Sequence, residues 1–160
     1  MLRSPVVLLA LLVSACSAPV ADAPRRVPAA EAFDAAAVER GVRAVLADQV
    51  LAWNSGSVRG FMDGYWRSDS LAFLSGGSVR RGWQEAYYAY VRGYPDQATM
   101  GVLTFSDLTV RPLSARHALV WGRWGLRRAD DAPSGLFSLL FERTDDGWKV
   151  VHDHTSSGEE

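Results

Sequence analysis

The chain has 160 residues, 48% of them hydrophobic and 22% charged, with a formal net charge of −1, the composition of one ordinary globular domain rather than a disordered or fibrous protein. Its one long apolar run, Pro5 to Ala15, falls short of the roughly 18 to 20 residues a membrane-spanning helix needs, and balanced charge without a basic stripe gives no source of attraction for nucleic acid. A single cysteine supplies neither an intramolecular disulfide nor a thiolate-rich zinc site, so the fold must stand on its apolar core.

Arg3, the apolar segment Val6 to Val13 and the small residues Ser14 and Ala15 have the layout of an export signal. Cys16 follows at once. Val13-Ser14-Ala15-Cys16 resembles the lipobox of bacterial lipoproteins, which implies cleavage before Cys16, acylation of its thiol and a lipid anchor in a membrane of the cell envelope. Ser17, in place of an aspartate, points to the periplasmic face of the outer membrane where the cell has one. The alternative is a plain secretory signal with an incidental cysteine. Residues 16–33, rich in alanine and carrying Pro19, Pro24 and Pro28, read as the lipidated cysteine and a tether. The domain is expected over 34–157, with 158–160 as a tail.

Asp34 is a plausible N-cap, and Val38, Val42, Val45, Leu46 and Trp53 recur at helical spacing until Asn54, Ser55 and Gly56 break the pattern. Ser57 caps a second predicted helix running through Trp66, with Phe61 and Tyr65 one turn apart. Ser70 to Ser75 reads as a strand; Gly76 and Gly77 suit a tight hairpin, which returns Ser78 to Arg81 onto it. Gly82 then opens a third helix, where Trp83, Tyr87, Tyr90, Val91 and Tyr94 form a stripe before Pro95. Beyond Asp96 the period becomes two, which predicts strands at Thr99 to Pro112, His117 to Arg128, Gly135 to Thr144 and Trp148 to Thr155. Helices first and a meander last indicate an α+β domain with one sheet curling around the helices.

That order resembles the cone-shaped nuclear transport factor 2-like fold, shared by ketosteroid isomerases and polyketide cyclases. The segment from Phe141 to Ser156 is similar to the end of the association domain of calcium/calmodulin-dependent protein kinase II: Asp146 and Gly147 before Trp148, then His152-Asp153-His154 and a serine. With Ala52-Trp53-Asn54 and Arg81-Gly82-Trp83, the resemblance spans residues 36 to 157 and points to the bacterial, stand-alone, SnoaL-like relatives of that domain. It implies three helices on a curved antiparallel sheet, an enclosed pocket, and homodimers. It also implies sheet arginines that hold small carboxylates. Arg123 matches one of these, and Leu139 stands where a second would be, which implies a more apolar pocket.

His152 and His154, two apart on a strand, share a face, but no third ligand has suitable spacing and no metal or other cofactor is expected. Asp153 points the opposite way; inside the cone beside Arg123 it would form a buried ion pair or meet a polar ligand, and outside it would be a solvated charge. Isomerase chemistry needs a carboxylate base in an apolar pocket and a neutral hydroxyl or acid as donor. Asp63, Asp153 and His154 are the candidate bases, and Tyr65, Tyr87 and Tyr90 the candidate donors. The expected pocket comprises Tyr65, Trp83, Tyr87, Tyr90, Arg123, His152 and His154, although an aromatic stripe is as often plain core. Ser75 and Ser106 have no partners at triad spacing.

Two functions remain open. One is an envelope-anchored, dimeric module that binds a small apolar or carboxylate-bearing molecule, dimerised through a sheet face such as Val120, Gly122, Trp124 and Leu126. The other is a small isomerase, cyclase or dehydratase with one buried aspartate or histidine as base.

Overall fold

The computed structural model describes residues 32–158. The expected signal peptide, Cys16 and nearly all of the tether lie outside the described residues. Helix α1 (Ala35–Asn54) starts at Asp34, whose carboxylate accepts from the Ala37 N–H at 2.9 Å, satisfying one of the donors a helix start leaves open. Val38, Val42, Leu46, Gln49 and Trp53 are its buried stripe. Helix α2 (Val58–Met62) is capped by the Ser57 hydroxyl, which accepts from Gly60 N–H at 2.9 Å.

The second helix stops four residues before the predicted end at Trp66. Beyond Met62 the backbone turns to the sheet: Val150 N–H donates to the Gly64 carbonyl at 2.9 Å and Trp66 N–H to the Val150 carbonyl at 3.0 Å. Tyr65 and Val150 thereby form an isolated parallel bridge. Backbone groups that a longer helix would have satisfied internally are satisfied by a strand instead.

Strands β1 (Ala72–Ser75) and β2 (Ser78–Arg81) form the hairpin, and α3 (Trp83–Gly93) and the short α4 (Gln97–Met100) follow. Helix α4 replaces the start of the predicted third strand. Asp96 accepts from the Thr99 N–H at 2.8 Å, a side-chain cap that holds one turn before Gly101 reverses direction at φ 63°. The four long strands are β3 (Val102–Pro112), β4 (His117–Arg127), β5 (Ser134–Thr144) and β6 (Gly147–Thr155).

The sheet has the order β2-β1-β6-β5-β4-β3. β1 runs parallel to β6 and every other pair is antiparallel. The sheet is curved and unclosed, with α1, α2 and α3 against its inner face. Two irregularities bend it: β3 shifts register between Ser106 and Thr109, where Asp107 adopts φ 53°, and β6 shifts between its pairings with Leu140 and Phe141.

Val120, Trp124 and Leu126 turn inward, Val120 and Leu126 into the core and Trp124 against it. The expectation that this alternation forms the second, outer face is therefore corrected by one residue of parity: Leu119, Trp121 and Arg123 face out. On the helix side, Gly41 of α1 rests on the Trp148 ring, and a Cβ there would lie 2.6 Å from the indole. Gly41→Val is expected to destabilise the domain by about 1–3 kcal/mol through overpacking, measured by urea denaturation; an unchanged midpoint would contradict this packing.

Candidate functional site

Between α3 and the inner face of the sheet lies an open cavity of about 310 Å³. Its walls are aromatic and aliphatic. Trp53, Phe61, Tyr90 and Tyr94 come from the helices, and Phe73, Phe105, Trp124 and Phe137 from the strands. The rings lock one another in place: Trp53 meets Tyr94 edge-on at 4.7 Å and Phe61 at 5.0 Å, and Tyr90 meets Phe73 edge-on at 5.7 Å. Trp53 Nε1–H donates to the Met100 carbonyl at 3.0 Å and Trp124 Nε1–H to the Ser156 carbonyl at 3.0 Å, so both indoles are fixed by their polar edges.

Within these walls stands Asp153, 2% exposed. Its Oδ2 accepts from the Tyr65 hydroxyl at 2.7 Å and its Oδ1 from the Thr155 hydroxyl at 2.6 Å. Burial pushes the Asp153 carboxyl up to about 6; the two hydroxyl donors and the nearby His154 oppose that rise without cancelling it. Burial and the Asp153 charge likewise push the Tyr65 and Tyr90 hydroxyls well above their ordinary range, so both remain protonated near neutrality. The unit can accept a proton or hydrogen bonds at the carboxylate, while the Tyr65 and Thr155 hydroxyls are committed to it as donors. No group of three or more His, Cys, Asp or Glu side chains with metal-binding geometry occurs among the described residues.

The SnoaL-like domain family matches residues 42–158. The chain belongs to the SnoaL-like family. A solved nuclear transport factor 2-like protein of unknown function from Shewanella oneidensis is 39% identical over 74% of this chain and 98% of its own, with a TM-score of 0.72. A nuclear transport factor 2-like protein from Salmonella enterica is similar in fold at 16% identity, covering 79% of this chain and 95% of its own, with a TM-score of 0.64. A Xanthomonas campestris structure named for the calcium/calmodulin-dependent protein kinase II association domain aligns at 17% identity over 76% of this chain and 88% of its own, with a TM-score of 0.57. No curated protein matches.

In this SnoaL-like domain the sequence-predicted residues separate into three places. Tyr65, Tyr90 and Asp153 meet at the cavity, and Leu139 lines it opposite Asp153 in the β5–β6 register. Trp83 and Tyr87 do not reach it. They stack on each other at 5.2 Å, Trp83 Nε1–H donates to the Met62 carbonyl at 2.9 Å, and the Arg59 and Arg67 guanidiniums stand 5.1 and 5.0 Å from the Trp83 ring. The helical stripe winds around α3, so its first turn packs on α2 and only Tyr90 and Tyr94 reach the cavity.

Arg123, His152 and His154 occupy the outer face, which corrects their placement in the pocket. Arg123 is half exposed and pairs with Asp107 at 3.8 Å. His152 and His154 do share a face, but their register partners there are Leu140 and Ser138, outside the cone. Asp63 is also removed as a buried base: half exposed, it binds Arg67 at 2.7 Å and Arg59 at 3.8 Å. Thr155, Phe73 and Arg80 were missed. Alternation from Asp153 predicts Thr155 on its face, whereas Phe73 and Arg80 arrive through the parallel β1–β6 pairing, for which the sequence carries no local signal.

Because burial penalises the ionised carboxylate, the folded protein holds the Asp153 proton more tightly than the unfolded chain does, and stability is lost as pH rises from about 4 through about 6. Moving a carboxyl from 3.8 to about 6 corresponds to roughly 3 kcal/mol at most. Asp153→Asn keeps the shape without the charge. Urea denaturation is expected to find the variant more stable than the natural chain by about 1–3 kcal/mol at pH 7.5, with the gap closing below pH 4; a gap independent of pH would refute the assignment.

Proposed function

We propose that this SnoaL-like domain binds one small, largely apolar, ring-bearing molecule in its aromatic cavity, with Asp153, held by Tyr65, orienting the ligand's polar end. The observation that carries this reading is the buried carboxylate in an open apolar cavity. Burying a charge costs stability, and that cost has a use where an arriving ligand presents a donor to it. Each carboxylate oxygen has two acceptor sites, and each carries one protein hydroxyl, which leaves acceptor capacity for the ligand.

Binding is favoured over catalysis because the Tyr65 hydroxyl is spent on Asp153. In enolising chemistry the base and the oxyanion donor serve different atoms of the substrate, whereas here that donor and the base are one hydrogen-bonded unit. The second reading, a small isomerase or cyclase, draws support from the carboxyl near 6 and assigns Asp153 as base with Tyr90 as donor. It predicts that deuterium exchange alpha to the carbonyl of a cyclic ketone rises with pH through about 6 and disappears in Asp153→Asn.

The proposal extends to the assembly. Cys16 is acylated, the alanine- and proline-rich segment is the tether, and the protein is anchored in the cell envelope; the Val13-Ser14-Ala15-Cys16 motif supports this. A second copy covers the outer sheet face, which carries Trp121 at 40% and Leu136 at 54% exposure, large apolar groups that a monomer leaves in water.

Native mass spectrometry of the full chain, expressed with its leader and extracted in mild detergent, is expected to give an acylated dimer carrying one small molecule per subunit. Cys16→Ala is expected to lose the acyl mass and Trp121→Glu to run as a monomer. An apo protein from cells that make it naturally would argue against a resident ligand.

A further inference from the structure

The inner face carries an unusual row. In register across β2, β1 and β6 stand Arg80, Phe73 and Asp153, and residues directly opposite on paired strands share a face. Two strand spacings separate the outer members, roughly 10 Å at the backbone. Phe73 stands in register between a cation and a carboxylate that make no ion pair with each other. All three residues line the cavity.

Arg80 is solvent-exposed and belongs to the cavity's mouth, while Asp153 is its buried polar group. Among the described residues Arg80 has no acidic partner within ion-pairing distance. Its neighbour Arg81 pairs with Ala72 and so faces the other side of the sheet. Arg80 lines the cavity together with Tyr90, whose hydroxyl is pushed up chiefly by burial and the Asp153 charge, the Arg80 charge opposing that rise least of all. The family resemblance implies anion binding at Arg123, which is on the outer face; the cation that lines the cavity comes from the hairpin instead.

We propose that the cavity takes a hydroxylated ring acid, its carboxylate on Arg80 at the mouth and its hydroxyl donating to Asp153 at the buried end. The ring system between them lies along Phe73 and Tyr90. The size agrees: a protein cavity of about 150 Å³ holds benzene, and this one, at about 310 Å³, has room for two fused rings. A guanidinium offers a planar fork that matches a carboxylate. This inference rests on the binding reading above and adds the polarity and order of the ligand's two ends.

The test is calorimetric titration of the whole chain at pH 7.5 with three probes: 2-naphthol, 2-naphthoate and 6-hydroxy-2-naphthoate. The hydroxy acid is expected to bind about tenfold more tightly than either singly substituted probe. Arg80→Gln is expected to erase the advantage over 2-naphthol, and Arg81→Gln, on the other side of the sheet, to change nothing. If 2-naphthol binds but the acids gain nothing, or if Arg80→Gln binds 6-hydroxy-2-naphthoate as the natural chain does, the anion site is overturned and the apolar cavity reading stands. If none of the three binds, both fall.

Discussion

The hydrogen bond from the Tyr65 hydroxyl to Asp153, 2.7 Å long and spanning 88 positions of sequence, ties the helical half of the domain to the last strand. Around it the chain abandons α2 after Met62 and bridges to Val150. Parallel to the same strand runs β1, which brings the β1–β2 hairpin to the edge of the cavity. A carboxylate with two hydroxyl donors is thus fixed where the three parts of the chain converge, and the surrounding rings exclude the water that would otherwise solvate it. Its raised proton affinity follows from that exclusion.

Much of the architecture was legible because it rests on local chemistry. Asp34 and Ser57 announce helix starts, Gly76-Gly77 announces a hairpin, and the strand breaks fall at polar turns. The site was only partly legible. Period two correctly put His152 and His154 on one side and Asp153 on the other, but alternation alone does not say which side is inside. On β4 the parity is legible from charge, since Ala118, Val120, Gly122, Trp124 and Leu126 carry none while the alternate set holds Arg123 and Arg127, and the structure buries the set containing Val120 and Leu126. On β6 the register shift near Val151 puts Val150 and Asp153, three apart, on the same inner face, and a bulge of that kind has no signature in an alternating pattern.

Arg80 illustrates a different limit. Its four-residue strand is exposed throughout, so composition marks it as surface. Its relation to the cavity depends on β1 pairing with β6 across some eighty positions, a contact set by the closure of the whole sheet. The family resemblance pointed to an arginine for carboxylates and selected Arg123. Topology supplies another cation at the cavity mouth, from an element the motif does not include.

The cavity itself is a physical choice. Ala86 and Ala89 of α3 line it beside Tyr90 and Tyr94, at positions where larger side chains would fill the space, and filling apolar space stabilises a domain. Burying Asp153 forgoes further stability above pH 6. A fold shaped by stability alone would close the cavity and replace the carboxylate with an amide or an aliphatic group. Both features occur together, on residues joined through Tyr65 and Tyr90, so the cavity and the buried charge are two parts of one candidate site. The outer face divides from it cleanly, since strand alternation assigns each β4 side chain to the cavity side or to the exposed side and never to both.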